Sequence, residues 1–335
     1  MSSKPSRSSS YRSDHHTDHE VSDQEAIEQH SKREEEEGED LLEDCPYDSV
    51  DIDMIHSRVR SIADLRLDRF PRIQTLCLRQ NLISTIDGIP SGLKELDLYD
   101  NKIDHISNLD GMSQIESLDL SFNKLKTIKN ISHLKTLRNL YFVQNKISRI
   151  QGLDGLHKLI NLELGANRIR KIEGLETLTS LEQLWLGKNK ITELSNLSAL
   201  KSLRLISIQS NRLTSIAGIS NLQNLEELYI SHNGLTSLLG LKNNLRVLDI
   251  SSNRIDSIAC SLKHMSNLEE FWASNNLLES LKEIEDELHD KEHLETVYLE
   301  GNPVQTNQPT LYRNKVRLAL PQIKQIDATF VRIDT

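Results

Sequence analysis

The sequence predicts an α/β solenoid in which every coil adds one short parallel strand to a curved sheet. Three observations predict it. The pattern LxxLxLxxNx(I/L) recurs as "LKELDLYDNKI", "IESLDLSFNKL", "LRNLYFVQNKI", "LINLELGANRI", "LEQLWLGKNKI", "LRLISIQSNRL" and "LEELYISHNGL". Its asparagines, Asn101, Asn123, Asn145, Asn167, Asn189, Asn211 and Asn233, are separated by six consecutive spacings of 22 residues, and a fixed period of that size marks stacked structural repeats. Within LxxLxL the apolar residues alternate with others, as strand geometry requires when one face is buried.

The elements follow in order along the chain. Residues 1–47 are Ser-rich and then acidic, with eight Asp or Glu among the eleven residues from Glu34 to Asp44. Too little apolar surface is present to offset ordering entropy, so a disordered tail is expected. From residue 48 the repeats begin with a degenerate unit, "DIDMIHSRVRSI", in which Ile52, Met54, Val59 and Ile62 match the apolar positions and Ser57 replaces the asparagine. Asn81, Asn253, Asn276 and Asn302 extend the series on either side. The expectation is a leucine-rich-repeat solenoid of about 12 units over residues 48–302, with strands on the concave face and short helices or 3-10 turns on the convex face. Residues 303–335 read as a C-terminal cap. Each asparagine is expected to turn its amide into the backbone of the adjacent coil. The unit ending at Asn253 is two residues short of 22, which predicts altered curvature near Asp249. Between Asn276 and Asn302, "LKEIEDELHDKEHLE" has the amphipathic pattern of a helix of about three turns.

Composition narrows the function classes. With 50 acidic and 40 basic residues the net charge is −10, which disfavours a nucleic-acid backbone as partner and suits a basic protein surface. Cys45, Cys77 and Cys260 are odd in number and widely spaced, so neither a disulfide framework nor a zinc site is indicated. The N-terminus lacks an apolar core segment and no run of 18 apolar residues occurs. No membrane span and no secretory signal are expected, and no membrane partner.

Trp185 poses the functional question, because Leu184 and Leu186 on either side must face the core and drive the indole outward. Parallel stacking puts all equivalent positions in one row: Asp53, Cys77, Asp97, Asp119, Tyr141, Glu163, Trp185, Ser207, Tyr229, Asp249, Trp272 and Tyr298. Five are acidic, five are aromatic and none is Lys or Arg, although aromatics are 4% of the chain. Strand propensity explains the aromatics but not the acids. Rings supply desolvated anchor area and carboxylates select Lys and Arg, so the row reads as a groove for a basic, partly apolar protein surface.

The segments "TLCLRQNLI", "ELDLYDNKI", "LELGANRIRKIE", "LWLGKNKIT", "EEFWASNNLLES" and "LETVYLEGNPVQ", with the ending "YRNKVRLALPQIKQIDATFVR", resemble the leucine-rich-repeat regulatory subunits of protein phosphatase 1. The resemblance runs from about residue 48 to 332. It implies a non-catalytic, nuclear and cytoplasmic protein with mitotic roles and no cofactor, monomeric before complex formation. It also implies that the phosphatase catalytic subunit sits on the concave face, with a small disordered inhibitor subunit (inhibitor 3) as a further partner. The family's contact positions fall on Asp119, Glu163, Asp249, Glu270, Trp272 and Tyr298; the sequence departs from the family at Tyr141 and Trp185, where phenylalanine is expected. With Tyr229 these nine residues form the predicted partner-binding set. Neither "SRVRSI" nor "NKVRLA" completes a basic-x-Val-x-Phe docking peptide, which leaves the repeat surface as the binding element. A cytoskeletal or ciliary adaptor that engages tubulin or a motor chain is the alternative, and an RNA-processing scaffold a third reading that lacks its basic face.

Other constellations carry less. His289 and His293 are four apart, but Asp290 stands where a zinc protease needs Glu. "DHHTDHE" is a polar tract, and Asn130 and Asn196 match glycosylation sequons only formally. Ser8, Ser9, Ser10 and Ser22 are expected phosphorylation sites. No nucleophile with a base, phosphate loop or shielded carboxylate pair is evident, so catalysis is not expected.

Overall fold

A computed structural model describes residues 40–331. The chain divides into two units, Met1–Cys45 and Pro46–Thr335. In the first, Asp40–Cys45 forms hydrogen-bonded turns in which the Glu43 and Cys45 N–H groups donate to the Asp40 and Leu42 carbonyls at 3.0 and 3.1 Å, and Leu42 is buried. The rest of the predicted tail, including Ser8, Ser9, Ser10, Ser22 and the "DHHTDHE" tract, lies outside the described residues, as do residues 332–335.

The second unit is a stack of coils. Its strands are β1 (Asp51–Asp53), β2 (Thr75–Cys77), β3 (Glu95–Asp97), β4 (Ser117–Asp119), β5 (Asn139–Tyr141), β6 (Asn161–Glu163), β7 (Gln183–Trp185), β8 (Leu205–Ser207), β9 (Glu227–Tyr229), β10 (Val247–Asp249), β11 (Glu270–Trp272) and β12 (Thr296–Tyr298). Each pairs in parallel with its sequence neighbours, so strand order equals chain order. β13 (Gln325–Ile326) adds a last parallel strand, and β14 (Thr329–Phe330) turns back antiparallel. The middle residue of every strand from β1 to β12, such as Leu140 or Leu184, is buried at 3% exposure or less.

Inside the stack, the asparagines form a second ladder. Asn123 is representative: its Oδ1 accepts from the Ile103 N–H at 2.9 Å, and its Nδ2 donates to the Leu98, Leu120 and Ser121 carbonyls at 2.9, 3.1 and 3.0 Å. Eleven asparagines from Asn81 to Asn302 serve the preceding coil in this way. They satisfy backbone groups that a buried turn otherwise orphans. Among the described residues no coil precedes the first repeat. Ser57 there donates only to Ile55, within its own coil, at 3.3 Å.

The residue before each ladder asparagine is left-handed, from Gln80 (φ 56) through Phe122 (φ 55) to Gly301 (φ 74), and His56 (φ 57) before Ser57 is too. A second left-handed position lies seven residues after the ladder asparagine and is filled by Gly88, Asn108, Asn130, Gly152, Gly174, Asn196, Gly218, Gly240 and Cys260. Glycine and asparagine adopt that conformation most readily. Asn130 and Asn196 also donate to the Ile106 and Ile172 carbonyls of the preceding coil at 2.8 Å. Backbone geometry therefore accounts for both sequon asparagines.

On the side opposite the sheet, the helical segments expected from sequence reduce to single turns. Ile131, Leu134 and Leu137 are buried three residues apart, and the Leu134 and Leu137 N–H groups donate to the Ile131 and Leu134 carbonyls at 3.0 and 3.2 Å. An apolar period of three closes i to i+3 turns, whereas an α-helix needs 3.6. The helix expected after Asn276 is present as α1 (Leu281–Leu288), eight residues long. That is nearer two turns than three, because the chain turns at His289–Asp290, where the Lys291 N–H donates to the Leu288 carbonyl at 3.2 Å, to feed β12. The cap follows with α2 (Pro303–Thr306) and α3 (Pro309–Ala319). His289 Nδ1 bonds the Ala319 carbonyl at 2.8 Å, so this histidine docks α1 on α3. Asp327 closes the array by accepting from the Leu299 and Glu300 N–H groups at 2.8 and 3.0 Å and from the Tyr312 hydroxyl at 2.9 Å.

The short unit does not disturb the sheet. Asp249 remains in register between Tyr229 and Trp272, so the two missing residues are removed outside the strands. Among the described residues no helix is long and apolar enough to cross a membrane, and no group of three or more His, Cys, Asp or Glu gathers as a metal site.

Candidate partner-binding face of the sheet

The strand registers place the predicted row on one line, from Asp53 opposite Cys77 through Glu163 opposite Trp185 to Trp272 opposite Tyr298. Glu270 lies two residues before Trp272 in β11, and residues i and i+2 of a strand share a face. It therefore stands beside the row. All nine predicted residues lie on this face.

Their environments differ along it. The aspartates of the row are already engaged. Asp53, Asp97, Asp119 and Asp249 each accept from the backbone N–H two residues ahead, at 3.1, 3.0, 2.8 and 2.9 Å, which is an Asx turn where the strand ends. Arg79, outside the row, hydrogen-bonds Asp97 and approaches Asp119 at 3.7 Å. Its guanidinium also stacks on Tyr99 at 5.0 Å, and Tyr99 meets the 40% exposed Phe122 at 4.8 Å. Sequence reasoning missed this cluster, because Arg79, Tyr99 and Phe122 sit two and three residues beyond the row position. The available signal was a cation at the same offset as Tyr99, one coil away.

The middle of the row is desolvated. Burial pushes the Asp119 and Glu163 carboxyls above the usual carboxylate range; for Asp119 the hydrogen bonds from Ser121 and the charge of Arg79 oppose it, and for Glu163 the hydrogen bond from Asn161 does. Both sites resist carrying an unpaired negative charge. Trp185 follows at half-burial, with its indole N–H shielded and without an acceptor among the described residues. The same holds for Trp272. What each indole offers a partner is ring surface rather than its donor.

The C-terminal end is aromatic. The Trp272 ring meets Tyr298 edge-on at 5.7 Å and Tyr229 at 6.3 Å. Tyr229 and Trp272 belong to β9 and β11, which are two strand spacings or about 9.6 Å apart. Their rings therefore lean together over β10, and Asp249 beneath them is 7% exposed. The Tyr229 hydroxyl donates to Glu227 at 2.9 Å, and its pKa is raised by burial and by that carboxylate. Glu227 in turn pairs with Arg246, which also holds Glu269 at 2.9 Å. Gln325 donates to the Tyr298 hydroxyl at 2.8 Å. Every polar tip of this cluster is occupied except the indole, so its rings are held in place.

Comparison with known proteins agrees with the repeat geometry. Family models described as "Leucine-rich repeat", "Leucine Rich repeats (2 copies)" and "Leucine Rich Repeat" match residues 88–186, 201–243 and 244–265. Relatives include the protein phosphatase 1 regulatory subunit SDS22 of Schizosaccharomyces pombe, 53% identical over 77 residues, which are 23% of each chain. The human protein phosphatase 1 regulatory subunit 7 is 62% identical over 47 residues, 14% of this chain and 12% of that one. The chain is a leucine-rich-repeat protein related to the phosphatase 1 regulatory subunits. The aligned stretches of these relatives span about a quarter of their length or less. Among solved structures, an internalin (inlF) from Listeria monocytogenes superimposes with a TM-score of 0.65 at 22% identity, covering 84% of this leucine-rich-repeat chain and 87% of that one. A Leptospira interrogans leucine-rich-repeat protein gives 0.61 at 22%, covering 80% and 81%. At that identity the likeness concerns the fold alone.

Proposed function

We propose that this leucine-rich-repeat protein is a non-catalytic regulatory subunit that holds the protein phosphatase 1 catalytic subunit on the open face of its sheet. The observation that carries the reading is the single line of fixed aromatic rings and desolvated carboxylates, on a chain whose relatives are named phosphatase 1 regulatory subunits. Trp185 and Trp272 act as anchors, because half-buried rings with locked neighbours lose little freedom on binding. Glu163 and Asp119 select cations, since each gains most from a partner that supplies the charge its burial lacks. Binding controls the activity, maturation or localisation of the phosphatase, in nucleus and cytoplasm and during mitosis, and a small disordered inhibitor subunit joins the complex. The protein is monomeric before the complex forms.

Calorimetric titration of recombinant phosphatase-1 catalytic subunit into the full chain tests it. The expected result is sub-micromolar binding that a Trp185→Ala, Trp272→Ala double variant weakens by about 100-fold or more while its melting curve stays cooperative. No binding by the wild-type chain, together with recovery of tubulin or motor chains in a pull-down, replaces this reading with the cytoskeletal adaptor.

A further inference from the structure

A second charged line runs along the flank where the chain leaves the sheet. The residue after the ladder asparagine is Lys102, Lys124, Lys146, Arg168, Lys190 and Arg212 in six consecutive coils; Gly234 interrupts and Arg254 resumes the line, while Leu82, Leu277 and Pro303 hold the position in the coils at either end. None of these eight coils carries Asp or Glu at the position, although acids outnumber bases in the chain by 50 to 40. Exposure alone therefore does not explain the choice. Backbone hydrogen bonds fix the register: the N–H of each residue donates to the preceding coil, Lys124 to Ile103, Lys146 to Leu125 and Arg168 to Ile147, each at 2.8 Å.

All but the half-buried Lys190 are exposed. Among the described residues none of the seven is ion-paired. Like charges on adjacent coils about 4.8 Å apart repel one another and disfavour the stack. The line therefore offers unpaired positive charge to an acidic ligand. Lys126 and Arg170, two residues further along their coils, widen the line.

We infer that this flank is a docking surface for an acidic polypeptide segment in extended conformation, rich in Asp and Glu. A single file of cations over six coils spans about 24 Å, the reach of about seven residues of extended chain. A nucleic acid suits it less. The carboxylates of the sheet face lie five residues upstream in the same coils, at Asp97, Asp119 and Glu163. They would repel a broad phosphate surface.

The test is fluorescence anisotropy with a labelled oligoglutamate peptide of about ten residues, long enough to cover the file, against the full chain. The expected result is saturable binding that weakens with salt and falls about tenfold when Lys124, Lys146, Arg168 and Lys190 are all changed to Gln. A control with Lys158, Lys201, Lys242 and Lys263 changed to Gln, all exposed in the returning segments, is expected to bind as the wild type does. Absence of saturable binding, equal loss in both variants, or tighter binding of single-stranded DNA of matched charge overturns the inference. The phosphatase titration is expected to give wild-type affinity with the first variant, so the two proposals fail separately.

Discussion

Asp97, Asp119 and Asp249 illustrate how one side chain serves two ends. Each commits an oxygen to the N–H that begins the turn after its strand, so part of the acidic row is explained by turn chemistry. That half of its role was not legible in sequence, because a turn-closing aspartate and a partner-contacting one occupy the same repeat position. Glu163 has no such backbone bond and separates the two roles. Its carboxyl is raised by burial, so between its ordinary and its raised pKa the folded chain binds more protons than the unfolded one. Stability contributed by this group is therefore full at acidic pH and lost as pH rises through the raised value. Glu163→Gln is expected to melt higher than wild type at pH 7, with the difference vanishing below about pH 4, and to bind the phosphatase less tightly; thermal melts at both pH values check it. The ladder asparagines were fully legible, since nothing but a shared backbone role keeps one residue type on a 22-residue period. Asn145→Ala removes an acceptor for Leu125 and donors to three carbonyls. It is expected to cost about 2 to 5 kcal/mol in urea unfolding.

At the scale of elements, the second left-handed position distinguishes glycines that look alike in sequence. A Cβ on Gly218 (φ +110) would lie 1.7 Å from the Leu194 carbonyl oxygen, whereas one on Gly240 (φ +93) meets nothing within 4 Å. Gly218→Ala is expected to destabilise by several kcal/mol, and Gly240→Ala by about 1 kcal/mol from its backbone conformation alone; paired chemical melts measure the gap. The helix α1 shows what pattern reading captures and what it omits. Its amphipathic spacing was visible; the cap was not singled out, and in the structure Ser280 Oγ accepts from the Glu283 N–H at 3.1 Å. Its structural task was not visible. Glu287, 4% exposed, accepts from the Cys260, Leu262 and Lys263 N–H groups at 2.7, 2.8 and 3.1 Å, and Lys291 donates to the Leu262 and Met265 carbonyls at 2.7 and 3.1 Å. The two side chains close the neighbouring coil's turn, which carries Cys260 where other coils have Asn or Gly. Charges four apart on a helix usually read as a solvated pair, and only the irregular coil beside them gives these another use.

For the whole molecule, charge is distributed across the coil rather than along it, with acids on the sheet face and unpaired cations on its exit flank. A basic partner guided to the acidic face is expected to associate more slowly as salt rises, about tenfold between low and physiological ionic strength, with a smaller change in dissociation; stopped-flow kinetics of the phosphatase complex measures both. The repeat number and the line of the row were readable at this scale because one motif is copied along the chain; the engaged state of individual row members was not, because their partners lie off the motif. The unequal unit lengths bear on that line in a further way. Successive asparagines lie 20, 23 and 26 residues apart beyond Asn233, yet Tyr229, Asp249, Trp272 and Tyr298 stay aligned. Every face residue thus has an integer address, given by coil number and strand position. Lengthening a returning segment leaves all addresses unchanged, whereas inserting a complete coil moves everything downstream by one step of about 4.8 Å. Distances between contact residues on this surface are quantised, and variation can adjust them only in whole coils.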